Sequence, residues 1–432
     1  MKNFENPAVV DPQLKRRKFL VSALSTGITA AVGPLYGQAI TTDNPVAVKN
    51  GVLNGADARL QNSSFITLFL CGDVMTGRGI DQVLPHPGNP VLYEGYMKSA
   101  GGYVELAEEV NGPIPKPVSF SYIWGNALSE LERRQPDCRI INLETAVTRS
   151  DNVQDKAVNY RMSPDNMACI TAAKIDCCGL ANNHVLDWGY PGLVETLSTL
   201  KQAGLKTAGA GRNILEAQEP AVVSISGRGR VLVLAFGSET SGIPFTWAAT
   251  ENRPGVNLLT GFSPSTIRSI RHRIAAVKQS HDVVVGSIHW GGNWGYHIPD
   301  EQQEFAHWLI DEAGVDVVHG HSSHHVKGIE IYKGKLILYG CGDFLNDYEG
   351  ISGHEAYRSD LTVMYFVRVE ASKGTLASLE MTPLQIKRFR LNYASAEDAL
   401  WVKKVLAKEG KKFGNEVELR SDNSLMLRWW SS

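Results

Sequence analysis

The run Phe65-Ile66-Thr67-Leu68-Phe69-Leu70-Cys71-Gly72-Asp73 is almost unbroken in apolar character and stops abruptly on a glycine and a carboxylate. Short apolar runs bounded by turn residues read as strands buried on both faces, the form that strands take in parallel sheets. The same event recurs along the chain. Arg139–Ile141 stops at Asn-Leu-Glu, Ile175–Leu180 at Ala-Asn-Asn-His and Val283–Ile288 at His-Trp-Gly. Val315–Val318 stops at His-Gly-His, Leu336–Tyr339 at Gly-Cys-Gly-Asp, and Val231–Phe236 completes the set.

Helical stretches lie between these runs. Pro191–Ala203 carries Leu193, Leu197 and Leu200 at helical spacing, with Gly204 as a stop signal. Pro264–Ser280 follows Ser263, an N-cap residue with proline at the first helical position, and carries Ile267, Ile270, Ile274 and Val277. Pro299–Ala313 carries Phe305, Trp308 and Leu309 before Gly314. Strands alternating with helices predict an α/β fold with substantial parallel pairing. Residues 85–120, rich in Pro, Gly and Tyr, break this rhythm as a long loop between the first two strands. Loops of that length commonly serve function, so the segment reads either as a substrate-facing insertion or as a surface excursion with its own packing. The tail, residues 393–432, reads as a small C-terminal extension: an added lobe or the last elements of the main domain.

Composition sets outer bounds. The 432 residues hold 43 Lys+Arg against 45 Asp+Glu, a net charge of −2 that supplies no basic stripe for nucleic acid. No uninterrupted apolar run reaches the roughly 18 residues of a spanning helix. The N-terminus reads Arg16-Arg17-Lys18-Phe19-Leu20, then an uncharged stretch to Val32, then Gly37-Gln38-Ala39. A basic region, a moderately apolar core and a small residue before the cut describe a twin-arginine-type signal peptide over residues 1–39, with an uncleaved anchor as the alternative. Residues 40–63 then form a linker, and the remainder works in the periplasm or another extracytoplasmic space. Residues 1–39 hold five basic and two acidic side chains, so the processed chain would carry −5. The six cysteines include no metal-type Cys-x-x-Cys pair and mostly lie in strand-like runs, which reads as buried free thiols.

The chemistry gathers at strand ends. Asp73, Glu144, Asn182, Asn183, His184, His289, His321 and His324 each fall just beyond a predicted strand. In α/β sheets, ligands and reacting groups collect outside the carboxyl ends of the strands. Carboxylate, amide and imidazole groups delivered to one edge suit zinc, iron or manganese, and no thiolate joins them as in structural zinc sites. A bridging carboxylate flanked by histidines suits a two-metal hydrolytic centre, with ions about 4 Å apart that activate water and offset developing negative charge.

The motifs Gly72-Asp73-Val74-Met75-Thr76-Gly77-Arg78, Asn142-Leu143-Glu144, Ala181-Asn182-Asn183-His184, His289-Trp290-Gly291 and Gly320-His321-Ser322-Ser323-His324 resemble the CapA family. Ala208-Gly209-Ala210-Gly211 and Tyr339-Gly340-Cys341-Gly342-Asp343-Phe344 extend the resemblance over about residues 64–350. That family is named for poly-γ-glutamate capsule biosynthesis and belongs to the calcineurin-like metallophosphoesterase superfamily. The resemblance implies a metallophosphoesterase-like four-layer α/β/β/α sandwich over residues 64–392.

It also implies roles. Asp73 would hold one metal, reached by His324, and Glu144 would bridge. Asn183 and His289 would hold the second metal with His321. His184 would stand over the leaving group as general acid, and Arg78 would pair with an anionic substrate group. Three departures from the superfamily pattern bear on this: Met75 replaces a ligating histidine, the last motif is Gly-His-x-x-His, and Asn142-Leu143-Glu144 replaces a Gly-Asp start. They leave either one or two divalent ions as the expectation.

The implied function is an exported metal-dependent hydrolase acting on an anionic small molecule or polymer, phosphoester or γ-glutamyl. Its partners would be membrane-bound capsule synthesis or export proteins. The alternative is a non-catalytic component that binds polyanion. Asn182 reads as a turn residue, His319 and His325 as packing or orienting groups, and His281, His297 and His307 as surface or helix-packing residues. Trp290, Trp294 and Tyr296 read equally as a stacking wall or as aromatic core.

Overall fold

A computed structural model describes residues 64–430. The expected signal peptide and linker lie outside the described residues. The strands of the two large sheets are, in chain order, β1 (Phe65–Val74), β2 (Cys138–Leu143), β3 (Cys177–Gly179), β4 (Lys206–Ala208), β5 (Ala221–Ile225), β6 (Gly229–Gly237), β7 (Val283–His289) and β8 (Val317–His321). They continue with β9 (Ile329–Tyr332), β10 (Lys335–Leu338), β11 (Asp343–Leu345), β12 (Leu361–Glu370), β13 (Thr375–Ile386), β14 (Leu391–Tyr393), β15 (Asn415–Leu419) and β16 (Leu425–Trp429). The first sheet runs β15-β16-β13-β12-β1-β2-β3-β4, with β11 also on β1 and β14 on β13. The second runs β9-β10-β8-β7-β6-β5. All seven strands read from the sequence are present. The neighbours β1-β2-β3-β4 and β6-β7-β8-β10 pair in parallel, so their carboxyl ends point one way within each sheet.

Alternation along each strand builds three apolar layers. Ile66, Leu68 and Leu70 of β1 meet Val231, Val233 and Ala235 of β6 and Val283 and Val285 of β7 between the sheets. Phe69 and Cys71 turn outward to a helical layer holding Leu131 of α3 (Asn126–Arg134) and Leu193, Leu197 and Leu200 of α4 (Gly189–Gln202). On the far side, Leu232, Leu234 and Phe236 meet Ile267, Ile270 and Ile274 of α5 (Pro264–Val277) and Phe305 of α6 (Asp300–Trp308). Helix, sheet, sheet, helix is the expected four-layer sandwich. Ser263 caps α5 by accepting the Thr266 N–H, with proline following it as read. The six cysteines are free and buried.

Two segments take one of the alternatives that the sequence left open. Residues 85–120 do not form an open loop: they contain α2 (Gly101–Asn111), and Leu92, Ala100 and Tyr103 make a small core of their own. Val104, Ala107, Ile114 and Val118 join the outer core, which is why the segment holds a fixed course. The tail is no separate lobe. Strand β16 pairs with β13, β15 pairs with β16, and α7 (Ala396–Gly410) buries Val402 and Leu406 in the layer between the sheets.

Candidate metal centre

Gly72 is required where it stands. A Cβ there would sit 1.7 Å from the Gly342 carbonyl oxygen, and the next residue, Asp73, donates its N–H to that oxygen at 2.9 Å. The close approach of β1 and β11 breaks the β1–β2 register at this point and leaves the Asp73 carboxylate buried at the strand end. Asn142 Nδ2 donates to Oδ1 of Asp73 at 2.8 Å, and the Ser322 N–H donates to Oδ2 at 3.0 Å. Ser322 accepts a φ of 98° to make that bond. A non-glycine residue held there is strained, and such strain concentrates at functional sites.

Adjacent strand ends bring the other groups in. Glu144, just past β2, places Oε1 3.7 Å from His289 Nε2 and 3.8 Å from His184 Nε2. Its other oxygen is buried and accepts no hydrogen bond from a donor among the described residues. His289 ends β7: its Nε2 lies 3.0 Å from Asn183 Oδ1 and its Nδ1 lies 2.8 Å from His321 Nδ1. His321 ends β8, with Nδ1 3.5 Å from Asp73 Oδ1 and Nε2 2.9 Å from Ser287 Oγ. Ligating atoms of Asp73, His289 and His321 all lie within 4.8 Å of one another.

The electrostatics of this cluster ask for a cation. Burial first, then the Asp343 charge, raises the Asp73 carboxyl to about 7. Burial, with Asp73 and Asp343, pushes Glu144 well above the usual carboxylate range. Burial also depresses His289 and His321, keeping both rings neutral and able to offer lone pairs. Hard carboxylates, neutral imidazoles, an amide oxygen and one orphaned buried carboxylate oxygen fit a divalent ion of the manganese, iron or zinc type.

His324 faces the same space from one side. Its Nδ1 lies 2.8 Å from Asp343 Oδ1, and Asn346 Nδ2 donates to Oδ2 of that carboxylate at 2.8 Å. Burial depresses the His324 ring, but Asp343 and then Asp73 outweigh it and raise it. His324 lies outside the tight Asp73–His289–His321 group, which itself unites residues that the resemblance divides between two ions. Met75 offers no ligand; the Tyr348 hydroxyl lies 3.7 Å from its sulfur.

His184 stands across from Glu144, with Tyr160 packed edge-on at 4.5 Å. Its Nδ1 lies 2.6 Å from Asp187 Oδ2, and Lys156 Nζ lies 2.5 Å from Oδ1 of the same carboxylate. Burial is the largest influence on this imidazole and brings it down to about 4.

Arg78 is the exception among the expected site residues. Its guanidinium is buried in ion pairs with Asp347 and Glu94, the latter at 3.0 Å, and donates to the Tyr103 hydroxyl at 2.9 Å. It lies 4.4 Å from the centre of the Tyr160 ring, behind the wall that packs on His184. Two carboxylates already engage it, although its charge still acts on His184 and His324. Arg78 ties the 85–120 insertion, through Glu94 and Tyr103, to the loop after β11.

Other readings hold. Asn182 shapes a turn, its Oδ1 accepting the N–H groups of His184 and Val185. His319 bonds the Cys71 carbonyl at 2.7 Å, and His325 packs among Trp294, Tyr296 and Tyr357. Trp290 is aromatic core, donating to the Tyr339 carbonyl, whereas Trp294 lies against His324. Asp187, Lys156 and Asp347 were not singled out by sequence reasoning, and Asn142 and Ser322 stood in its motifs without a role. Of the first three, Asp187 carried a local signal, a carboxylate three residues beyond a histidine.

The family model for bacterial capsule synthesis protein PGA_cap matches residues 67–348. A probable polyglutamine synthesis accessory protein of Mycobacterium tuberculosis is 47% identical over 366 residues, covering 84% of this chain and 96% of the relative. The PGA biosynthesis protein CapA of Bacillus subtilis is 26% identical, covering 73% of this chain and 70% of its own. The capsule biosynthesis protein CapA of Bacillus anthracis is 25% identical, covering 77% and 70% respectively. A crystal structure described as a novel phosphatase from Mycoplasma pneumoniae aligns with a TM-score of 0.41 at 12% identity, over 74% of this chain and 94% of that one.

Proposed function

The chain belongs to the bacterial capsule synthesis protein family of the CapA proteins, and from that premise we propose a metal-dependent hydrolase acting on an anionic envelope substrate, a phosphoester or γ-glutamyl polymer, during capsule polymer synthesis. One observation carries this reading: Asp73, Glu144, His289 and His321 converge, buried, from separate strand ends, and one Glu144 oxygen accepts no hydrogen bond from a donor among the described residues. Asp73, His289 and His321 would hold the ion, with Glu144, Asn183 and His324 beside them. When bound, such an ion supplies Lewis-acid polarisation and lowers the pKa of water.

The side chains do the rest. Asn142 and the Ser322 N–H hold Asp73 in one orientation, and Asp343 holds His324. Asp187 fixes the His184 ring, so that Nε2 faces the Glu144 side. Burial keeps that ring neutral before substrate arrives; an anion beside Nε2 raises its pKa, and the proton it gains can pass to the leaving group. Export by a twin-arginine-type signal and membrane-bound synthesis partners complete the reading.

Elemental analysis of protein purified without chelators tests it first. One or two transition-metal ions per chain, together with hydrolysis in a phosphoester and γ-glutamyl screen, is the expected result. No ion after reconstitution overturns it. The second reading, a non-catalytic component that binds polyanion, is favoured by Met75, which leaves the first site short of a histidine. A His184→Ala variant separates the two: turnover lost with metal and polymer binding kept supports catalysis, and unchanged function supports the binding component.

A further inference from the structure

A cavity of about 380 Å³ opens beside the metal centre, walled by the loop after β11, the last turn of α2 and the end of β13. We infer that it is a subsite for an apolar portion of the substrate, an inference that rests on the hydrolase reading and narrows its substrate class.

The cavity and the candidate metal centre share a wall. Tyr348 and Trp294 line the cavity, and their rings lie 5.4 and 5.2 Å from the His324 ring. Asn346 also lines it and donates to Asp343, the carboxylate that holds His324. A substrate whose anionic group meets the metal centre therefore has its next portion beside this space.

The lining specifies the chemistry. Val110, Ile351 and Ile386 contribute apolar surface, and Val110 and Ile351 remain 61% and 39% exposed. Most of the charged groups around it are already engaged. Glu349 accepts the N–H groups of Arg388 and Phe389 at 2.6 and 2.7 Å, Glu355 accepts the Gly353 N–H, and Asp360 and Arg358 pair with each other. Lys387 is in no ion pair among the described residues, although it feels the Glu349 charge. Hydrogen bonds do not discharge Glu349 and Glu355, so with Asp360 the carboxylates outnumber Arg358 and Lys387; the mostly apolar wall therefore selects an apolar body, and the volume lies in the usual ligand range of about 300–1,000 Å³. One face of Trp294 is covered by His354, stacked at 4.0 Å, so packing by an aliphatic or aryl body fits better than a flat ring stack.

The test uses the metal-loaded full chain and three probes: anilinonaphthalene sulfonate, naphthylmethylphosphonate and inorganic phosphate. The expected result is saturable one-to-one binding of the sulfonate by fluorescence, weakened about tenfold or more by Ile351→Trp and by Lys387→Glu. Naphthylmethylphosphonate, which has no ester bond to hydrolyse, should bind about tenfold more tightly than inorganic phosphate by calorimetry, an advantage that Ile351→Trp removes without changing phosphate affinity or metal content. No saturable sulfonate binding, or wild-type affinity in both variants, overturns the subsite. Failure of the metal-centre reading looks different: phosphate binding is then indifferent to chelator while sulfonate binding persists, which leaves a cavity site but overturns its place in the substrate path.

Discussion

The Asp187 carboxylate stands 2.6 Å from Nδ1 of His184, three residues along the same turn. It sets which ring nitrogen faces Glu144, and Lys156 balances the charge of Asp187 from the other side. His184→Ala should lower hydrolysis by about 100- to 10,000-fold with metal content unchanged. Asp187→Asn should act in the same direction by less, because the ring stays but loses its anionic partner. Steady-state kinetics beside elemental analysis check both.

Asp343 orients His324 without belonging to the tight ligand group. Replacing it with Asn should weaken metal binding by about 10- to 100-fold, the usual cost of losing the partner that orients a ligating histidine. A metal titration that matches wild type would remove His324 from the site.

Arg78 is expected to matter for stability, not for anion affinity. Arg78→Met leaves Asp347 and Glu94 buried without their cation, a change of the kind that costs about 3–5 kcal/mol. Denaturant unfolding should show that loss. A normal unfolding midpoint with weakened substrate binding would return Arg78 to the substrate side.

The strained Ser322 turn gives a paired prediction. Ser322→Gly should be neutral or stabilising, since glycine reaches a φ of 98° freely and the N–H bond to Asp73 is kept. Ser322→Val should destabilise by about 1–3 kcal/mol and lower metal affinity. Thermal melts with and without metal read both effects.

The pH dependence follows from Asp73, raised from the ordinary carboxylate range to about 7 by burial and then by Asp343. A carboxyl raised in the folded state favours unfolding once the pH exceeds its unfolded value, and the cost grows until the folded value is reached. Metal-free protein should therefore lose stability between about pH 4 and pH 7 on this account, and Asp73→Asn should flatten the loss. Metal affinity should rise across the same window, because the ligand must shed its proton. At 100 times the dissociation constant the ion should add about 2.7 kcal/mol of stability, seen as a higher melting temperature.

Much was legible in the chain alone. Strand identity was, because burial on both faces demands apolar runs, and β1, β6 and β7 have no other way to satisfy both layers. So was the location of the chemistry, since parallel strands must release their polar residues at one end; Asp73, Glu144, His289 and His321 follow directly from that rule. Tertiary structure alone decided what those residues do to one another. No spacing could reveal that Asp347, 269 residues from Arg78, and Glu94 pair with its guanidinium, or that Ser322 bends to hold Asp73. Such pairings are set by packing between distant segments, where a buried charge must find an opposite charge and a buried N–H must find an acceptor, whatever their separation along the chain.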